Sequence, residues 1–131
     1  MPTLFTRIIE GELPGRFVHR DDQCVAFLSI APIRPGHTLV VPIEEVDHWV
    51  DLDPDLVAHL MQVGHRIGRA QMQAFSPARI GVMIAGMEVP HAHIHFIPID
   101  HESDLRFENA DQNARAEDLD AAADALRAAL G

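Results

Sequence analysis

Histidine occupies three alternate positions in one short segment, at His91, His93 and His95. Side chains of an extended strand alternate between its two faces, so residues spaced by two share a face. The sequence therefore predicts a strand with three imidazoles on one face and apolar packing residues on the other. Imidazole titrates near neutral pH and can act as a base, an acid, a nucleophile or a metal ligand. This segment is the first candidate for chemistry.

Two chemistries fit three such imidazoles, and their spacing alone does not separate them. One is metal ligation by histidines, in which Glu88 is a candidate carboxylate ligand. The other is metal-free phosphoryl chemistry with a histidine nucleophile. The turn from Gly86 to Val89 precedes the histidines and is led by glycine, so it can aim backbone N–H groups at an anion. Phosphate is the anion that suits such a turn, which favours the second chemistry.

Length, charge and cysteine content limit the class of protein. A chain of 131 residues fits one domain. Its formal charge of −10 disfavours a nucleic-acid partner, because sequence-independent binding needs a basic face. Cys24 is the only cysteine, so an intramolecular disulfide is impossible and a reduced, cytoplasmic location is expected. Neither a signal-peptide pattern nor an apolar run of about 18 residues occurs, so no membrane partner is expected.

Hydrophobic periodicity predicts the elements that position these histidines. Helices are predicted over residues 4–10, 54–74 and 114–130. Strands are predicted over residues 16–19, 23–28, 37–41, 78–85 and 91–99. Asp53 and Pro54 suit the N-cap and first position of the long helix. Most connections between strands are too short for crossover helices, so the predicted fold class is α+β, with an antiparallel sheet of about five strands.

The segment from His91 to Ile97 resembles the signature of the histidine-triad (HIT) family, in which histidine alternates with apolar residues. Residues 35–42, Pro-Gly-His-Thr-Leu-Val-Val-Pro, resemble the Pro-x-His-x-Leu-Val-x-Pro segment of the same family. Residues 4–27 resemble its opening helix and first two strands. The resemblance, closest to the Hint-related branch, implies an HIT-like fold with a domain over residues 1–101. Residues 102–131 are then a C-terminal extension, a loop followed by a docked helix.

The family resemblance also implies an activity: hydrolysis or transfer at the α-phosphate of a small nucleotide derivative, through a covalent nucleotidyl-histidine intermediate. By matching position, His93 is the nucleophile and His91 orients its ring. His95 contacts the phosphate oxygens together with His37 from the neighbouring strand. This chemistry needs no cofactor and no metal. The resemblance further implies a homodimer, with residues 56–74 and 78–85 near the interface.

Several positions depart from the family pattern. Ser29 stands where many members carry an acidic residue that holds the ribose. Met87 and Glu88 replace an amide and a hydroxyl residue in the turn before the triad, and Glu88 suits a leaving group that needs a proton. The predicted nucleotide- and phosphate-binding residues are Ile8, Phe27, Ser29, Gly86, Met87, Glu88 and Val89.

Some family members hold a structural zinc at positions that correspond here to Thr3, Thr6 and Glu45. Without thiolates a zinc site of that type is not expected. The remaining histidines show no spacing that suggests coordination, and they are His19, His48, His59, His65 and His101. Cys24 is expected to pack as a small hydrophobic residue.

Two alternatives to the enzyme stay open. The first is a nucleotide-binding or regulatory protein with little turnover, because the residues at 29, 87 and 88 replace useful contacts. The second is a metalloprotein in which His91, His93 and His95 are ligands and Glu88 is a candidate carboxylate ligand.

Overall fold

The computed structural model describes residues 2–131 and contains five strands and three α-helices. The helices are α1 (Leu4–Ile9), α2 (Pro54–Phe75) and α3 (Ala116–Leu130). The strands are β1 (Phe17–Arg20), β2 (Cys24–Leu28), β3 (Thr38–Pro42), β4 (Arg79–Met83) and β5 (Ile94–Ile99). The predicted α+β fold class is confirmed, including the C-terminal helix.

All five strands form one antiparallel sheet in the order β1-β2-β3-β5-β4. Asp21 closes the β1–β2 hairpin, since its Oδ1 accepts the backbone N–H groups of Gln23 and Cys24, each at 2.8 Å. The pairing of β3 with β5 sets Leu39 opposite His95. The two segments that carry the family resemblance therefore lie side by side in the sheet.

Helix α2 covers one face of the sheet. It begins as predicted, because the Asp53 carboxylate accepts the N–H of Asp55 at 2.8 Å and Pro54 occupies the first turn. Its buried residues share a core with β2, β3 and β5, in which the Phe96 ring lies directly against Gly64. Helix and strand approach closely at this point because Gly64 has no side chain.

Gly64→Ala is expected to lower the free energy of unfolding by about 1–3 kcal/mol, because the added Cβ would overlap the Phe96 ring. Gly68→Ala is the matched control on the same helix. Its Cβ would lie 3.8 Å from Ile80, an ordinary contact, and alanine favours a helix over glycine by about 1 kcal/mol. Denaturant titration of both variants measures the difference, and equal stabilities would contradict the close approach.

Helix α1 lies on the opposite face of the sheet. The Thr3 hydroxyl caps it by accepting the N–H of Thr6 at 3.1 Å. Phe5 packs edge-on against Phe27, with ring centroids 5.6 Å apart, in a core that also contains Leu39. Because Leu39 pairs with His95, this helix stands beside the catalytic candidates.

Helix α3 packs against α2 and β2 through small and aliphatic side chains. Ala122, Ala123 and Leu126 share a buried cluster with Ala70 and Leu28. The segment before α3 is held to the sheet by Arg34, whose guanidinium contacts Asp100 at 2.8 Å and Asp104 at 3.0 Å. These contacts bring the C-terminal residues onto the body of the domain.

Among residues 2–131, no helix is both long and apolar enough to cross a membrane.

Candidate active site

The strand that carries the triad begins later than predicted. Strand β5 starts at Ile94, so only His95 lies within it, and His91 and His93 precede it in an irregular segment. The prediction of a regular strand from residue 91 is wrong because this backbone bonds outside the ladder. The N–H of Ala92, for example, donates to the carbonyl of Val46 at 2.7 Å. This irregular segment, and not the sheet, therefore determines the positions of the His91 and His93 rings.

The triad rings nevertheless gather on the side of the sheet that carries α1. The Phe5 ring lies 5.8 Å from His91 and 4.9 Å from His93, measured between ring centroids. The rings of His93 and His95 are 4.9 Å apart. The predicted clustering of three imidazoles therefore holds without the predicted strand.

His91 is fully buried and uses both of its ring nitrogens. Its Nε2 lies 2.7 Å from the carbonyl of Pro42, which can only accept, so this nitrogen carries the proton. Its Nδ1 then accepts the hydroxyl of Thr3 at 2.6 Å. Neither nitrogen is left for a metal, which disfavours a site with all three triad histidines as ligands.

The tautomer of His93 follows from a single hydrogen bond. Its Nδ1 lies 2.8 Å from the backbone carbonyl of His91, so Nδ1 carries the proton and Nε2 keeps its lone pair. Burial lowers the pKa of His93, which keeps the ring neutral at neutral pH. A neutral imidazole with a free Nε2 is the form that attacks an electrophile.

His37 and His95 form a second hydrogen-bonded chain. The N–H of Ile33 donates to His37 Nδ1 at 3.0 Å, so His37 is protonated on Nε2. That nitrogen donates to His95 Nδ1 at 2.9 Å, which leaves the His95 proton on Nε2. Burial and the neighbouring imidazoles lower the pKa of His37 to about 3 and that of His95 to about 4. This hydrogen-bonded pair of imidazoles therefore leaves one neutral N–H donor beside His93, on Nε2 of His95.

His93 borders two cavities, which divide the residues predicted to bind the nucleotide. The larger, of about 410 Å³, also reaches His95. The predicted residues that line it are Ile8, Phe27, Ser29, Glu88 and Val89. The smaller, of about 240 Å³, has Gly86 and Met87 in its lining. Gly86 and Met87 of the turn before the triad therefore lie on one side of His93, and Glu88 and Val89 lie on the other.

The individual turn and loop residues have distinct local roles. Gly86 adopts a φ of +76°, a conformation that favours glycine. Met87 is 92% exposed, and Glu88 is exposed as well. The Ser29 hydroxyl accepts the N–H of Ala31 at 3.2 Å, so the side chain shapes its own loop at the cavity wall.

Two aromatic residues were not assigned to the site from the sequence. Phe5 lies in α1, and its ring packs edge-on against both His91 and His93. Phe107 lies in the C-terminal extension, and its ring centroid is 5.1 Å from that of His95. Phe107 belongs to none of the motifs that predicted the site, so no local sequence signal could have located this contact.

The positions that hold zinc in some family members form a hydrogen-bonded cluster here. The Glu45 carboxylate accepts the N–H of Thr3 at 2.8 Å, and hydrogen bonds from Thr6 and Thr3 lower its pKa. Threonine hydroxyls are not zinc ligands, and His91 Nδ1 is already paired, so these residues do not fit that metal. The cluster instead fastens the start of α1 to the loop after β3 and to His91.

Thr3→Val is expected to lower the free energy of unfolding by about 1–3 kcal/mol, because it removes both the helix cap and the donor to buried His91. Thr3→Ser keeps both hydrogen bonds and should stay within about 0.5 kcal/mol of the wild type. Chemical denaturation of the pair provides the measurement. A valine variant as stable as the serine variant would show that the cluster contributes nothing.

Comparisons with known proteins agree with this geometry. Residues 10–102 match the family model of the HIT domain. An uncharacterized HIT-like protein of Mycobacterium tuberculosis is 31% identical over 135 residues, covering 99% of this chain and 94% of the relative.

Two solved structures are similar over most of the chain. A hypothetical histidine triad nucleotide-binding protein from Sulfolobus tokodaii has a TM-score of 0.84 at 25% identity, with 96% of this chain and 90% of that one covered. A HIT family hydrolase from Legionella pneumophila has a TM-score of 0.64 at 28% identity, with coverage of 73% and 91%. Sequence and fold agree: the chain belongs to the histidine-triad family.

Proposed function

We propose that the protein hydrolyses or transfers the nucleoside monophosphate group of a small phosphoramidate, mixed anhydride or dinucleotide, with His93 as the nucleophile. The observation that carries this proposal is the hydrogen bond from His93 Nδ1 to the His91 carbonyl, because it leaves the Nε2 lone pair free beside a cavity. Relatives named as a nucleotide-binding protein and as a hydrolase support the substrate class and the reaction.

The reaction proceeds in two displacements at the α-phosphorus. His93 Nε2 forms a bond to phosphorus as the bond to the leaving group breaks, and the leaving group departs with a proton. Water then attacks the same phosphorus, restores the neutral imidazole and releases the nucleoside monophosphate. The Nε2–H of His95 donates to a non-bridging oxygen as charge develops there, with its direction set in advance by His37.

The larger cavity suits the nucleoside part of the substrate. Ile8 and Phe27 supply apolar walls for a base, and Ser29 lies where a ribose hydroxyl is bound in the proposed orientation. Glu88 lines the same cavity as His93 and His95, and its carboxylate is proposed to accept a hydrogen bond from an amine leaving group, which takes its proton from solvent. Gly86 and Met87 border the second cavity, on the opposite side of His93.

The pH dependence of kcat/KM provides one test of the neutral nucleophile. Protonated His93 has no lone pair, and burial lowers its pKa, so activity should persist as the pH falls through about 6.5 and decline only below it. Rates measured from about pH 4 to about pH 9 give the acid limb, while circular dichroism at each pH shows whether the fold is intact. An acid limb at or above the ordinary histidine pKa would contradict the proposed environment.

The direct experiment is turnover of an adenosine phosphoramidate and a panel of nucleoside phosphate esters, each with and without a chelator. We expect chelator-resistant release of nucleoside monophosphate. Nucleotide binding without turnover would favour the regulatory alternative. Turnover that a chelator abolishes would favour the metalloprotein alternative. The structure disfavours that alternative, because both ring nitrogens of His91 already form hydrogen bonds.

We further propose a homodimer built on the face formed by α2 and β4. Strand β4 lies at one edge of the sheet, and Met61, Met72 and Val82 expose apolar side chains on this face. Sedimentation of the wild type should give a dimer, and Val82→Lys should shift it toward monomer. A wild type that stays monomeric at all concentrations would refute the dimer.

A further inference from the structure

Three side chains from three elements converge on one oxygen of Asp21, in a cluster that shares no residue with the triad. His19 on β1 and His59 on α2 place Nε2 at 2.6 and 2.8 Å from Asp21 Oδ2. The Sγ atom of Cys24 on β2 lies 3.6 Å from the same oxygen. The ligand atoms of His19, Asp21 and Cys24 all lie within 4.8 Å of one another. The sequence spacing of these histidines did not suggest coordination, so their meeting is a product of the fold.

The converging groups outnumber the acceptor sites that Asp21 can offer. Both oxygens of an aspartate carboxylate only accept hydrogen bonds. Oδ1 already accepts two backbone N–H groups. Oδ2 has two lone pairs for two imidazole N–H groups and one thiol.

The thiol is a third contact on Oδ2, because the two lone pairs of this oxygen already face two imidazole nitrogens. A cation held between His19, Asp21 and Cys24 would relieve this crowding, because it would turn these three groups into ligands.

We propose that this cluster binds a divalent transition-metal cation, with Zn²⁺ the best match to its donors. The ligand atoms are His19 Nε2, Asp21 Oδ2 and Cys24 Sγ, with water in the fourth position, and His59 orients the carboxylate by hydrogen bonding to Oδ2. Imidazole, carboxylate and thiolate are the ligand types of tetrahedral zinc, whereas a thiolate does not suit Mg²⁺ or Ca²⁺. One carboxylate and one thiolate also balance the two charges of the ion.

Binding of the ion changes the protonation and the spacing of the three ligands. His19 binds through Nε2 and carries its proton on Nδ1, and the Cys24 thiol releases its proton to solvent. Tetrahedral zinc separates its nitrogen and oxygen ligands by about 3.3 Å and its sulfur and oxygen ligands by about 3.6 Å. The sulfur is already at that distance from Oδ2, and the His19 imidazole must withdraw from Oδ2 by about 0.7 Å.

The position of the cluster indicates a structural role with access for the ion. The side chains of His19, Asp21 and His59 are 15%, 24% and 27% exposed, which leaves a path for the ion from solvent. All three protein ligands come from the β1–β2 hairpin, on β1, the turn and β2. Bound metal would join these parts of the hairpin and stabilise the fold.

Titration with Co²⁺, a spectroscopic substitute for Zn²⁺, tests the proposal directly. One equivalent should produce the visible bands of four-coordinate cobalt and a thiolate-to-cobalt charge-transfer band. Because Cys24 is the only cysteine, that band reports this cluster and not the triad. Cys24→Ser should lose the band while it keeps nearly the same side-chain volume. Absence of the band in the wild type would overturn the proposal.

Zn²⁺ affinity provides a second measurement with variants at partly exposed positions. His19→Ala and His59→Ala should each weaken Zn²⁺ binding by at least about tenfold. Zn²⁺ should raise the Tm of the wild type but not that of the double variant. His65→Ala removes an exposed histidine from the same helix and should change neither value. Binding that survives the double variant and disappears in His93→Ala would assign the ion to the triad and refute the proposed site.

Discussion

His93→Ala is expected to reduce the release of nucleoside monophosphate by about 10⁴-fold or more, because it removes the proposed nucleophile. The fold should persist, since the ring donates only to a neighbouring carbonyl and borders two cavities. Wild type and variant are compared by single-turnover kinetics with an adenosine phosphoramidate. Nucleotide affinity should change far less than the rate.

A covalent adduct separates nucleophilic catalysis from simple binding. Quenched wild-type reactions should contain protein that carries one nucleoside monophosphate, detectable by mass spectrometry and mapped to residue 93. His65→Ala, which removes an exposed histidine of α2, is the control and should form the adduct normally. An adduct that forms equally in His93→Ala would exclude this residue as the nucleophile.

His95→Ala is expected to lower kcat by about 10²–10³-fold with little change in KM. Its Nε2–H is the donor that His37 directs, and loss of one such preset donor has an effect of this size. Steady-state kinetics of the variant with the same phosphoramidate provide the measurement. A fall in affinity with kcat intact would mean that His95 binds the ground state and not the developing charge.

His37 is a positioning residue, and its effect should pass through His95. His37→Ala removes the hydrogen bond to His95 Nδ1, so His95 loses the preference for a proton on Nε2. The loss of kcat should therefore be smaller than in His95→Ala. The double variant should be no slower than His95→Ala alone, because coupled residues are not additive. If the losses of kcat in the two single variants add up in the double variant, His37 does not act through His95.

The secondary structure could be predicted largely from local patterns. Asp53 and Pro54 marked the start of α2, and two β-rich segments on either side of the polar residues 20–22 marked the hairpin, because caps, turns and strand propensity act over a few residues. The start of β5 was missed. Local propensity suits a strand at residues 91–93, but hydrogen bonds to Val46, Pro42 and Thr3 hold this segment outside the ladder.

The sequence by itself determined the chemical types at the site: three alternating histidines, a fourth in a neighbouring segment, and a family resemblance that joins them. Only the tertiary structure decided which nitrogen of each ring holds the proton. The partners that set it are distant in sequence, as with Thr3 and His91, which are 88 positions apart. The same holds for Phe107 against His95 and for His59 against Asp21. Such contacts arise from packing between elements, and no local pattern of residues encodes them.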